Sequence, residues 1–304
     1  MTFTTSLKEE ISKNELSTIE ARVELEAFIK CIGKVSRKEI SITLENASVA
    51  RKIFKDIKMV FNITPIITVR IQKRFRVKQI YIITIKERIE FIKEAFNIGK
   101  YNIPLDTMEE KVAYLEGAFL AVGNISNPQT SGYHLEYICS DEKLAKFIQK
   151  NLLSFNFNAK VIKRGYKEVV YLKAAENISD LLKLFKATNA MFFLEDIRIY
   201  RDHKNMVNRL NNCEISNQTK AIATGQKQLR NIEYLKENDL ISLLDEKQKI
   251  VVEAREKYPE SSLIELAEII SLEYNYKIGK SGINHHFIKI NKMVESHKEN
   301  NKEK

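Results

Sequence analysis

Near the C-terminal end, Lys277, Lys280, Ser281, Gly282, Asn284, His285, His286, Lys289 and Lys292 crowd into a stretch, 277–293, that holds no acidic residue. A carboxamide can bond the N6 and N7 edge of adenine at once, which makes Asn284 the best single candidate for reading a base. Lys277, Lys289 and Lys292 are point charges suited to phosphate, which supplies affinity without sequence information. His285 and His286 are neighbours and so point about 100° apart on a helix, which gives a metal no two-ligand face. The chemistry on offer is recognition of a polyanion, and double-stranded DNA is the partner it fits.

A second basic cluster, Arg70, Lys73, Arg74, Arg76 and Lys78, lies in 69–82, with no acid before Glu87. In a hairpin, alternation puts Arg74, Arg76 and Lys78 on one face and Phe75 and Val77 on the other. Such a face either follows a phosphate backbone or is a charged edge that discourages strand addition. A third set, Lys204, Arg209, Lys220, Lys227, Arg230 and Lys236, is spread over a polar helical run, 203–237. It reads either as a solvated connector or as a further backbone contact. The net charge of +10 permits a polyanionic partner without establishing one.

Three short helices are needed to present the first cluster. Asp245 can cap one that runs to Tyr258 and stops at Pro259. Ser262 with Glu265 forms a capping box for the second, and a turn covers 275–279. The third is expected over Ser281 to Val294, with Ile283, Phe287, Ile290 and Val294 as its buried stripe. Residues 261–276 contain Glu265, Glu268 and Glu273 and no Lys or Arg, so an acidic second helix precedes a basic third. This is helix-turn-helix patterning with a longer turn, and its third helix carries the polar, basic N-terminal end that major-groove recognition requires.

The first 200 residues carry a repeat. Leu25-Glu26-Ala27-Phe28-Ile29-Lys30-Cys31-Ile32-Gly33-Lys34-Val35-Ser36 returns ninety positions later as Leu115-Glu116-Gly117-Ala118-Phe119-Leu120-Ala121-Val122-Gly123-Asn124-Ile125-Ser126. Gly117 and Ala121, with Ala27 and Cys31 opposite, are small enough to let the two helices pack together on a pseudo-two-fold axis. Each copy leads into strand-like Ile40 to Leu44 or Tyr133 to Ile138, and then into a helix over 48–61 or 141–155. Paired strands follow over 66–71 with 79–85, and 159–163 with 168–173, before a closing helix over 87–96 or 177–185. The order αββαββα, twice, predicts an α+β domain with helices on one face of antiparallel sheet. Cys31, Cys139 and Cys213 are far apart and lack CxxC spacing, so all three are expected as core thiols. No apolar run reaches the length of a membrane span and the start, 1–10, has no signal-type segment, which predicts a cytoplasmic, nucleoid-associated protein.

The repeated helix resembles that of LAGLIDADG homing endonucleases, through Leu115, Gly117, Ala121 and Gly123 and through Leu25 and Gly33. In that family an acid before the final glycine holds the catalytic divalent metal. Ile32 and Val122 occupy those places, and neither can bind an ion. The chain as a whole resembles the WhiA family, which joins a degenerate LAGLIDADG-like domain to a C-terminal helix-turn-helix. The resemblance is carried by 114–128, by Gly132-Tyr133-His134-Leu135-Glu136, by Asn208-Arg209-Leu210-Asn211-Asn212-Cys213-Glu214 and by Gly279-Lys280-Ser281-Gly282-Ile283-Asn284-His285-His286. Members usually have a basic residue at the place of His286 and a small one at that of Val122. The resemblance implies a pseudo-two-fold domain over 1–205, with halves of about 1–100 and 101–205. It further implies a helical linker over 206–240, a helix-turn-helix over 241–297 and a charged tail over 298–304. It implies transcription control linked to cell division and chromosome segregation, and other transcription or division proteins as partners. No enzymatic activity, cofactor, metal or small-molecule substrate is expected. The competing expectations are a nuclease that uses Glu26 or Glu116, and an N-terminal protein-interaction scaffold.

Overall fold

In the computed structural model, which describes residues 2–72, 79–99 and 104–300, both repeated helices start at capping boxes. Ser17 and Glu20 open one and Thr107 and Glu110 the other, each pair satisfying two backbone donors that a helix start would leave bare. We label the elements in chain order. A short helix α1 (Phe3–Ile11) precedes the repeat; α2 (Thr18–Ile32) and α5 (Met108–Val122) are the repeated pair. The first half continues with β1 (Lys34–Val35), β2 (Ile40–Leu44), α3 (Ala47–Phe61), β3 (Ile66–Ile71), β4 (Gln79–Ile85) and α4 (Ile89–Ala95). The second continues with β5 (Gly123–Ile125), β6 (Leu135–Cys139), α6 (Glu142–Ser154), β7 (Lys160–Arg164), β8 (Lys167–Leu172) and α7 (Ala175–Leu184). Each half is therefore αββαββα, as the repeat predicts. Within that order β1 and β5 are the strands to which the sequence assigns no residues, since two and three residues are too few to show alternation. The helix missing from it was α1, whose apolar content is Phe3, Leu7 and Ile11 alone.

Each half folds its strands into an antiparallel sheet, in the order β1-β2-β4-β3 and β5-β6-β8-β7. In β2, Ile40, Ile42 and Leu44 point into the core while Thr43 faces out, the two-residue period of a sheet covered on one face. The helix pair α2 and α5 packs closely at Gly117, where a β-carbon would sit 2.6 Å from the Glu24 carbonyl oxygen. A glycine is required there by the approach of the two backbones.

Beside that crossing lies a charged cluster that no sequence pattern revealed. Lys52 Nζ is 3.0 Å from Glu24 Oε2 and 3.7 Å from Asp56 Oδ2, with all three side chains buried. Asn14 donates to Glu116 Oε1 at 3.4 Å and to the Phe185 carbonyl at 2.8 Å. Burial raises the proton affinity of Glu24, Asp56 and Glu116 alike, with Lys52 opposing it, and Glu116 is pushed up to about 7. One ammonium faces three buried carboxylates, and their desolvation favours proton uptake by the cluster.

The chain groups into two compact units, Met1–Arg201 and Asp202–Lys304. Helix α8 (Thr188–Glu237) contributes its residues up to Arg201 to the first and the rest to the second. In the second unit α9 (Glu246–Lys257), α10 (Leu263–Glu273) and α11 (Lys280–Asn300) follow. Their core includes Val251, Val252, Leu266, Ile270, Ile283, Phe287, Ile290 and Val294, together with Ile232 and Leu235 of α8. The run 203–237 reads as polar from its sequence, with few large apolar residues, yet its last turns bury Gln228, Ile232 and Leu235 and form a fourth wall of this core. Helix α11 extends six residues past the expected end at Val294, because His297 still packs on Tyr234, with Nδ1 3.0 Å from the phenol oxygen.

Arg255 is 1 % exposed and fixes the corner between α9 and α10. Its Nη1 donates to the carbonyls of Tyr258, Pro259 and Ser261 at 3.3, 3.3 and 2.6 Å, and its guanidinium lies over the Phe287 ring. The thiol expectation holds for Cys31 and Cys139, which are buried, with desolvation pushing Cys139 up to about 12. It fails for Cys213, which is exposed on the polar stretch of α8, where no core reaches it. Among the described residues no helix is long and apolar enough to cross a membrane.

Candidate nucleic-acid interface

Helix α11 begins with no acidic residue in its first turn, so nothing there opposes the partial positive charge of its N-terminus. Ile283, Phe287, Ile290 and Val294 are buried as the stripe predicts. That fixes the helix about its axis and leaves Lys280, Ser281, Asn284, His285, Lys289 and Lys292 exposed. Lys277 is exposed in the connection just before it. The turn between α10 and α11 passes through Asn275 at φ 48°, a left-handed conformation that asparagine tolerates at the end of a helix.

Two of the nine residues lie on the flank turned toward the domain. Gly282 meets the Ile278 side chain, where a β-carbon would sit 2.7 Å from Cγ1. His286 is half-buried, with Nδ1 shielded and unpartnered, and burial holds its ring below the usual histidine range against the pull of Asp245. The seven others share the open side.

The structure adds Thr224, Gln228 and Ile288 to the face and selects Lys227 from the third basic set. A groove of 290 Å³ runs between α8 and α11, lined by Thr224, Lys227 and Gln228 on one side and by Asn284, Ile288 and Lys292 on the other. Lys227 thus joins the same face as Asn284, and Gln228 Oε1 is buried there without a partner. Asn231 donates to Asn291 Oδ1 at 2.9 Å and ties the two helices together. Ile288, 46 % exposed, breaks the rule that an apolar residue of this helix turns inward, and its methyl groups suit a thymine methyl. The available signal was its position, off the buried stripe by more than a quarter turn.

Of the second basic cluster, Arg70 is exposed near the end of β3, an edge strand paired to β4 through Arg70 opposite Ile80. Lys73, Arg74, Arg76 and Lys78 lie outside the described residues. At the other place of interest, Ile32 and Val122 are half-buried at the C-terminal ends of α2 and α5. Ile32 lines a cavity there, and neither side chain offers a ligand atom.

Three family models match the chain. The WhiA N-terminal LAGLIDADG-like domain matches residues 18–98, the WhiA LAGLIDADG-like domain 111–204 and the WhiA C-terminal HTH domain 207–294. A relative from Bacillus cytotoxicus described as a probable cell division protein WhiA is 35% identical over 309 residues, covering 97% of this chain and 96% of its own. One of the same description from Clostridium botulinum is 36% identical over 318 residues, covering 98% and 99%. The crystal structure of full-length WhiA from Thermatoga maritima superposes with a TM-score of 0.58 at 25% identity, covering 97% of this chain and 99% of that one.

Proposed function

The chain belongs to the WhiA family, and from that premise we propose a non-catalytic, double-stranded-DNA-binding regulator of transcription that acts in cell division and chromosome segregation. The observation that carries this reading is the open side of α11, where Lys280, Ser281, Asn284, His285, Lys289 and Lys292 stand together, with Glu295 at the far end of the groove the first acid on the helix. Asn284 reads a base, Lys280, Lys289 and Lys292 hold phosphates, and Lys227 of α8 adds a phosphate contact from the other bank of the groove. The link to division rests on the names of the relatives. The non-catalytic part rests on Ile32 and Val122, since two-metal cleavage needs carboxylates where these apolar groups stand. Such a protein works on the nucleoid in the cytoplasm, and other transcription or division proteins are its remaining partners.

The test is a salt-dependent titration of the full chain on duplex DNA with magnesium present, scoring cleavage on the same samples. The expected result is binding with intact DNA, and a log–log salt slope that flattens by about 0.9 for each of Lys280→Ala, Lys289→Ala and Lys227→Ala. Magnesium-dependent cutting would refute the non-catalytic reading. Unchanged slopes would remove α11 and its flank from the interface. A C-terminal fragment, if used, has to begin well before 241, because Ile232 and Leu235 belong to its core.

A further inference from the structure

Along the first two turns of α5 the first unit holds a cavity of 300 Å³ with apolar walls formed by Leu16, Val112, Phe155 and Leu184. Its volume is at the lower end of the range of small-ligand pockets. Glu116 also lines it, four residues beyond Val112 and so on the same face of the helix, and that side chain is only 3 % exposed. Its Oε1 accepts one long hydrogen bond from Asn14, at 3.4 Å, and its Oε2 takes no hydrogen bond or ion pair among the described residues. Val112 and Ala113 stand toward the opposite end of α5 from Val122, so the cavity is separate from the degenerate metal position.

A carboxylate at this depth is costly unless a cation closes on it, and the chain supplies none. The Lys52 ammonium, which faces Glu116 from α3, is committed to Glu24 at 3.0 Å and Asp56 at 3.7 Å. Lys186 lines the same cavity but is exposed, and it shares that lining with Glu20 and Glu109 as well as Glu116, so carboxylates outnumber ammonium groups there. An apolar hollow with one buried acceptor and a surplus of negative charge selects a cation that carries its own hydrocarbon. We propose that this cavity binds a small primary amine with a branched aliphatic or aromatic body, its ammonium donating to Glu116 and its apolar part lying against Val112, Phe155 and Leu184. Desolvation pushes Glu116 up to about 7, so near neutral pH its carboxyl is partly protonated, and an ammonium beside it favours the ionised form. An anion would meet the carboxylates instead, and an alcohol of the same shape would gain the apolar contact without the ion pair.

The probes are isoamylamine and, as its uncharged counterpart, isoamyl alcohol, each titrated into the full chain by calorimetry with amide NMR shifts followed at 108–116. Saturable binding of the amine is expected, with the alcohol at least about tenfold weaker. Glu116→Gln keeps the shape of the side chain and removes its charge; it is expected to weaken the amine at least about tenfold and to leave the alcohol unchanged. Val112→Phe fills the cavity while the carboxylate stays in place, and it is expected to abolish binding of both probes. Non-saturable shifts in the wild-type chain, or equal affinity for amine and alcohol, overturn the proposal. So does undiminished amine binding by a folded Glu116→Gln chain or, should that variant not fold, by Val112→Phe.

Discussion

Gly117, Arg255 and Glu116 are constrained for three different physical reasons. At Gly117 the reason is space, since a methyl group would push into the Glu24 carbonyl at 2.6 Å. Gly117→Ala is expected to destabilise the first unit by about 1 to 3 kcal/mol, measured by urea unfolding. At Arg255 it is satisfaction, because three carbonyls depend on one guanidinium. Arg255→Met keeps the bulk and strands the acceptors, and a loss of about 2 to 4 kcal/mol is expected, confined to the second unit. At Glu116 it is protonation. Its native pKa of about 7 exceeds the ordinary value of 4.5, so the native state keeps a proton that the unfolded chain gives up between them. The resulting stability is fully present below the lower value and is lost as pH rises through the upper. Chemical denaturation is expected to show the first unit weakening from about pH 5 to about pH 8, and Glu116→Gln should flatten that profile. An unaltered profile would assign the titration to Glu24 or Asp56 instead.

Among the elements, those with a strong period were legible and those held by partners were not. The strands 40–44, 66–71 and 79–85 appear at the expected places because β-branched residues alternate or cluster there. The capping box of Ser262 and Glu265 was readable from two residues. By contrast, β1 and β5 hold two and three residues, and their conformation is set by pairing to β2 and β6, which no local pattern records. The same holds for the site: the stripe Ile283, Phe287, Ile290 and Val294 already implied which face of α11 is open. The sequence offered Lys227 only as one of six bases on a polar run with backbone contact as one of two readings, and Thr224 not at all, because both matter through the helix they lie beside. Asn284→Ala is expected to cost about 1 to 3 kcal/mol at one base pair and to leave other positions alone, as measured by competition among single-substitution duplexes. Ile288→Ala should selectively weaken sites that present a thymine methyl. Equal loss on every duplex would place both residues on the backbone.

For the whole molecule, the net charge of +10 arises from 50 basic and 40 acidic residues, and their placement matters more than the excess. The first unit spends part of its charge internally, on Lys52 with Glu24, Asp56 and Glu116. The second presents its bases along α11 and the adjoining turns of α8. Full-chain affinity is therefore expected to follow the C-terminal lysines, and the triple variant Lys280→Ala, Lys289→Ala, Lys292→Ala should lower the salt slope by nearly three phosphate contacts at about 0.9 each. If the slope keeps its value, the dominant electrostatic grip lies in the first unit.

Arg255 joins the corner between α9 and α10 to Phe287 of α11, so a lesion at that corner would reach the basic helix without touching any of its lysines.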